Sequence, residues 1–316
     1  MISKGPKLEI VSSLSEHDKI GNVIKSTSKI DSQLIVSPKN KLNDLPGKEW
    51  LKLTKSVWFQ NGLGKTNPST TIERQHPAPF SYTDIQKLIL MFTKNGMTVL
   101  DPFCGVASSL KAAALCGRNS IGIEISSRWV KLGKARIATE VPETMSKVVN
   151  TRIIRGDCLK RLPKFQRESI DFIVTSPPYW NILNKNQDLK IVKERTSKGL
   201  QTKYSLSPSD LGNMTNYKEF LKRLGKIARQ CRRVLKTEKF FALIVGDFRD
   251  GSKFYPYHVH TIRVFEKNGF QLQGIIILAQ NNKSLFPYGY PYSFVENIHH
   301  QYVLIFQKPR RKFATA

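Results

Sequence analysis

Along this chain, short unbroken apolar runs alternate with stretches whose apolar residues recur three and four positions apart. The runs at 98–100, 120–124, 151–157, 170–174, 240–247, 272–278 and 301–306 read as strands. The spaced stretches at 83–92, 108–115, 127–139, 217–236 and 257–268 read as helices. The clearest is 217–236, where Leu221, Leu224, Ile227, Cys231 and Val234 make one apolar face. Such alternation implies an α/β fold with an open, mostly parallel sheet and helices on both faces. The last two strands are joined without a clear helix, so they are expected to pair antiparallel and to put an antiparallel strand at one edge.

The rest of the chain lacks that period. Residues 1–70 are of mixed polarity and read as an N-terminal extension, with a helical face at 46–59 and lysines that either follow phosphate or are simply solvated. Residues 181–216 are polar and lysine-rich, and read as a basic loop inserted in a main domain that spans 71–308. Residues 309–316 form a basic tail. The lysines and arginines of 217–236 make a basic face that either meets phosphates or faces solvent. Phe286, Tyr288, Tyr290, Tyr292 and Phe294 crowd one connection, where they either stack on bases or pack among themselves.

Composition narrows the partners. The 316 residues carry a formal net charge of +27, which attracts polyanions, so nucleic acid is the expected partner and a membrane surface the alternative. The 40% hydrophobic content is enough to bury a core. Cys104, Cys116, Cys158 and Cys231 form no Cys-x-x-Cys pair, no signal-like start precedes them, and no apolar run is long enough to span a bilayer. The chain is expected to be reduced and cytoplasmic, with no structural metal.

Two stretches carry the chemistry. The run at 170–174 ends in Thr175-Ser176-Pro177-Pro178-Tyr179-Trp180, and a double proline stops a strand abruptly because it offers no N–H. That leaves a rigid turn bearing a hydroxyl, carbonyls and two rings at a strand's C-terminal end, where open α/β sheets bind ligands; on its own the turn reads sooner as a strand end whose aromatics pack inward. Upstream, Val99-Leu100-Asp101-Pro102-Phe103-Cys104-Gly105 runs from a strand into a tight turn and a small-residue helix. The run at 120–124 ends in Glu124, placed either to accept ribose hydroxyls or as a surface acid, and the run at 151–157 ends in Gly156-Asp157.

Together, Asp101-Pro-Phe-Cys-Gly105 and Ser176-Pro-Pro-Tyr179 resemble the S-adenosylmethionine-dependent amino methyltransferases of DNA, in the arrangement with the cofactor motif first. The resemblance covers about 74–308 and implies a Rossmann-like class I methyltransferase with a seven-stranded sheet. It implies that His76 and Pro77 enclose the methionine end of the cofactor, that Asp101 holds its ammonium, and that Pro102, Phe103 and Gly105 let the backbone approach. Glu124 and Ile125 would meet the ribose, and Asp157 and Cys158 the adenine, although Asp157 reads almost equally well as the cap of the following turn. Ser176, Pro177, Pro178 and Tyr179 would be catalytic on a flipped base, with Trp180 as wedge or pocket wall and Lys185, Lys190, Lys193 and Lys198 on the DNA backbone. The family usually has a second glycine and a threonine where this chain has Ala107 and Ser108. Serine at position 176 favours N4 of cytosine in double-stranded DNA, with N6 of adenine as the alternative. RNA guanine methylation and a non-catalytic DNA-binding subunit are weaker readings. A restriction-modification system with its endonuclease, or an orphan or phage enzyme, is the implied setting.

Overall fold

The computed structural model describes residues 35–60, 71–77, 81–182, 196–197, 205, 207–281 and 283–310. Its central sheet holds β1 (Val57–Phe59), β2 (Thr98–Asp101), β3 (Asn119–Glu124), β4 (Thr151–Arg155), β5 (Ile170–Thr175), β6 (Leu235–Val245), β9 (Gln271–Ala279) and β10 (His300–Gln307). A small hairpin, β7 (Phe248–Asp250) and β8 (Lys253–Tyr255), stands apart. The sheet order is β1-β9-β10-β6-β5-β2-β3-β4. All pairings are parallel except those of β10.

The structure departs from three expectations. The sheet has eight strands rather than seven, because β1 pairs in parallel with β9 through Val57↔Ile277 to Phe59↔Ala279. The helical face expected over 46–59 stops early: α1 (Gly47–Leu53) ends, and Val57-Trp58-Phe59 turns to strand, burying only Trp58. A β-branched residue and two rings prefer a pleated, half-buried edge. The antiparallel strand, expected at an edge, lies inside the sheet, where β10 is covered by β9 on one side and β6 on the other.

Helices cover both faces. On one side α2 (Tyr82–Phe92) packs Ile85, Leu88, Ile89 and Phe92 with Trp58, and α3 (Ser108–Leu115) adds Ala112 and Ala113. Next to α3 lies α4 (Ser127–Glu140). On the other side α5 (Tyr217–Val234) buries Phe220, Leu224, Ile227, Cys231 and Val234, and α6 (Tyr257–Lys267) buries Phe265. The Asn216 side chain caps α5 by accepting from the Glu219 N–H at 3.1 Å. All six residues of β5 are buried, as a strand covered on both faces must be.

This order sets the site. The chain leaves β2 toward β3 on one side, then crosses back so that β5 pairs with β2 on the other. Between those two crossovers the C-terminal ends of β2 and β5 open a crevice, the switch point of a doubly wound sheet.

Candidate active site

The turn after β2 is built by backbone conformation. Gly105 and Ala107 have φ of 47° and 65°, and the αL geometry at Ala107 costs about 1–2 kcal/mol for a residue with a Cβ. Ala107 thus holds the conformation that a glycine would take freely. A Cβ on Gly105 would lie 3.1 Å from His76 Nε2, so the imidazole rests directly on the turn. His76 in turn meets Trp129 of α4 edge-on, with ring centroids 4.9 Å apart.

Glu124, at the end of β3, joins three parts of the site. One carboxylate oxygen accepts the Gly105 N–H at 3.0 Å, the other accepts the Ser126 N–H at 2.7 Å, and its carbonyl accepts from Gly156 at 2.8 Å. A carboxylate has about four lone-pair sites, so acceptor capacity remains after those two bonds. Burial pushes its pKa up to about 7. At the end of β4, Asp157 caps the next turn through the Leu159 N–H at 2.9 Å and pairs with Arg223 at 2.8 Å.

Asp101 is placed differently from the expectation. It does not line the cavity, is 1% exposed, and accepts from Thr175 Oγ1 at 2.5 Å, from the Phe103 N–H at 2.9 Å and from the Ser109 hydroxyl. Burial raises its pKa to about 6. Because Thr175 precedes Ser176, this carboxylate locks the turn after β2 to the turn after β5.

The second turn presents Ser176, Pro177, Pro178 and Tyr179 to the same cavity. The Tyr179 phenol accepts from Gln301 Nε2 at 2.7 Å, and burial pushes its pKa up to about 12. Its ring lies edge-on to Tyr257, with centroids 5.9 Å apart. Roughly 1020 Å³ of empty space, open solvent at its mouth included, lies between the two turns.

The expected residues His76, Pro102, Phe103, Gly105, Glu124, Ile125, Asp157 and Cys158 all border this space, whereas Pro77, Asp101 and Trp180 do not. Trp180 is 3% exposed and packs on Tyr217, Phe248 and Tyr255, so it supports the turn from behind rather than lining a pocket. Lys185, Lys190, Lys193 and Lys198 lie outside the described residues.

The sequence reading missed Trp129, Asp210, Arg223 and Gln301, all of which line the cavity. Arg223 did leave a signal, being a cation between Phe220 and Leu224 on the apolar side of α5. Asp210 had a weaker one, since Ser207-Pro208-Ser209-Asp210 reads as turn chemistry at the end of the supposed loop. Gln301 is a polar residue at a strand start, which distinguishes nothing.

The chemistry available is that of fixed acceptors. The diproline supplies no N–H, and Cys104 and Cys158 are held as thiols because burial raises both pKa values far above the usual range. Among the described residues no cluster of three or more His, Cys, Asp or Glu is placed to hold a metal ion, and no helix is long and apolar enough to cross a membrane.

The Type II methyltransferase M.MthZI of Methanothermobacter thermautotrophicus is 30% identical over 132 residues, 40% of this chain and 34% of that protein. The tRNA (guanine(10)-N2)-dimethyltransferase of Methanocaldococcus jannaschii is 32% identical over 102 residues, 32% of this chain and 28% of that protein. The chain spans about a third of the length of the curated relatives it matches. Among solved structures, a SAM-dependent methyltransferase of Methanosarcina mazei is similar at 16% identity and a TM-score of 0.42, over 69% of this chain and 94% of that one. The N6/N4 methyltransferase family, described as DNA methylase, matches residues 6–135 and 170–316, which take in both turns of the cavity, and the chain belongs to that family.

Proposed function

We propose that this protein transfers the methyl group of S-adenosylmethionine to the exocyclic N4 of cytosine in duplex DNA, either within a restriction-modification system or as an orphan or phage enzyme. The observation that carries the reading is the Ser176–Tyr179 turn, held against the turn after β2 by the Thr175–Asp101 hydrogen bond.

The residues present fit the cofactor. Glu124 keeps acceptor capacity for ribose hydroxyls, and Asp157 and Cys158 stand at the adjacent strand end. The absent Cβ of Gly105 leaves the turn approachable beside His76. Asp101 serves by positioning, since its carboxylate stands off the cavity and accepts from Thr175, Ser109 and Phe103. S-adenosylmethionine supplies a methyl group already activated on a sulfonium.

What the protein must do is make the amine a nucleophile. An exocyclic amine shares its lone pair with the ring and reacts poorly until that lone pair turns out of the ring plane. Ser176 Oγ and the Pro177 carbonyl accept the two amine hydrogens and aim the lone pair, a preorganised electrostatic effect. Tyr179, fixed by the Gln301 hydrogen bond and the Tyr257 ring, stacks on the base, which has to leave the duplex to be reached.

Chromatography of nucleosides from unmethylated plasmid DNA treated with the protein and methyl-labelled cofactor tests this. N4-methylcytosine is the expected product. N6-methyladenine would overturn the choice of base, and label found only in added RNA would overturn DNA as the substrate.

A further inference from the structure

The connection between β9 and β10 rises from the same edge of the sheet as the cavity, because β9 runs parallel to β6 and β5 and ends where β10 begins. Five aromatic residues occupy alternate positions in it: Phe286, Tyr288, Tyr290, Tyr292 and Phe294. Tyr290, Tyr292 and Phe294 are 80%, 94% and 83% exposed, so the outer rings do not pack among themselves into a core.

The connection has a scaffold of its own. Asn297 bonds both the N–H and the carbonyl of Phe286, at 2.9 and 2.8 Å. The Tyr292 and Ser293 N–H groups both bond the Gly289 carbonyl, at 2.8 and 2.7 Å. Gly289 has φ of 77°, and a Cβ there would meet the Ser293 carbonyl oxygen at 2.5 Å. Pro287 and Pro291 fix two further φ angles. The rings are thus displayed on a preset backbone.

The base of the connection reaches the proposed chemistry. Gln280, its first residue, donates to Gln301 Oε1 at 3.4 Å, and Gln301 donates to the Tyr179 phenol. Large exposed rings gathered on one connection mark a contact surface. The chain's net charge of +27 favours a polyanion as partner, and the connection stands at the cavity's end of the sheet. Extruding a base leaves its neighbours unstacked, and aromatic rings stack on bases of any sequence.

We infer that Tyr290, Tyr292 and Phe294 form a stacking platform for the DNA bases left unstacked when the target nucleotide enters the cavity. The inference rests on DNA being the substrate. The platform acts through ring faces, so it contributes to DNA binding without neutralising phosphate.

The test compares wild type with Tyr290→Ala/Tyr292→Ala/Phe294→Ala, all surface positions, and with Tyr292→Phe. Unmethylated plasmid DNA is the methyl acceptor, and a fluorescein-labelled duplex reports binding by anisotropy. The triple variant is expected to raise KM for DNA about 10- to 100-fold, with cofactor affinity unchanged and the same slope of log Kd against log salt. Tyr292→Phe should behave as wild type, because it keeps the ring face. Wild-type KM in the folded triple variant would overturn the platform while leaving DNA methylation intact. A wild-type dimer that becomes monomeric in the triple variant, with DNA kinetics unchanged, would make the rings a protein interface and overturn it too. If the wild type leaves DNA unlabelled, the underlying reading has failed and the platform falls with it.

Discussion

In the proposed function, Glu124 is the residue whose charge state bears most on cofactor binding. Its pKa stands near 7 because burial disfavours the anion, and Asp101 stands near 6 for the same reason. Both values are raised from ordinary ones of 4.5 and 3.8, so the folded state holds protons that the unfolded state has released. The stability that these groups contribute is therefore complete below about pH 4 and is lost as pH rises through about 6 and 7. Thermal melts of the cofactor-free protein should fall across that window. Ribose hydroxyls donate to the carboxylate anion, so S-adenosylmethionine affinity measured by calorimetry should instead rise through about pH 7. Glu124→Gln should bind weakly and lose that rise; a flat wild-type profile would remove Glu124 from the ribose. Asp101→Ala leaves the buried hydroxyls of Thr175 and Ser109 without their acceptor, a loss of about 1–3 kcal/mol for each unsatisfied group. Urea denaturation should record a destabilisation of that order. Unchanged stability would mean that the two turns are not held together through this carboxylate.

At the scale of elements, the segment before His76 is clasped from below. Arg136 of α4 is fully buried and pairs with Glu73 at 2.5 Å and Glu140 at 3.0 Å, while also donating to Ser108 at the start of α3. Lys111 joins the same cluster at 2.6 Å from Glu140. Removing one partner of a buried ionic network strands the others, at about 3–5 kcal/mol. Arg136→Met should lose stability of that size in urea and weaken cofactor binding, because Glu73 holds the turn that leads to His76. Full cofactor affinity in a folded Arg136→Met variant would show that the clasp does not position His76. None of this network was legible in the sequence, since a lysine and an arginine within helices read as solvated cations until the neighbouring element is known. The elements themselves were largely legible: α3 spans the expected 108–115, and β5 stops just before its prolines. The failures came where tertiary pairing overrode local pattern. Val57–Phe59 became a strand only because β9 offers an edge, and β10 lies inside the sheet because β9 and β1 extend past it. At the site, the sequence named Glu124, Gly105 and the Ser176–Tyr179 turn, and the structure brings them to one cavity. Asp101 was found but misplaced, because sequence gives a residue's position on a strand without the partners that claim its carboxylate.

Over the whole molecule the charge of +27 should dominate encounter with DNA. Affinity for a duplex should fall linearly in log–log form with salt, losing about 0.9 of slope for each phosphate contact removed. Replacing Lys185, Lys190, Lys193 and Lys198 together by glutamine should flatten that slope and spare cofactor binding; an unchanged slope would show that these lysines do not ride on the backbone. The central claim, however, is that a cavity between two strand ends orients an exocyclic amine for methyl transfer. It is tested most directly by single-turnover methylation of plasmid DNA by wild type and Ser176→Ala, with cofactor affinity measured on both. Loss of a positioned polar group in such a site lowers the rate by about 10²–10³, so the variant should bind S-adenosylmethionine as wild type does and transfer its methyl group slower by that factor. Equal rates in the two proteins would contradict the account.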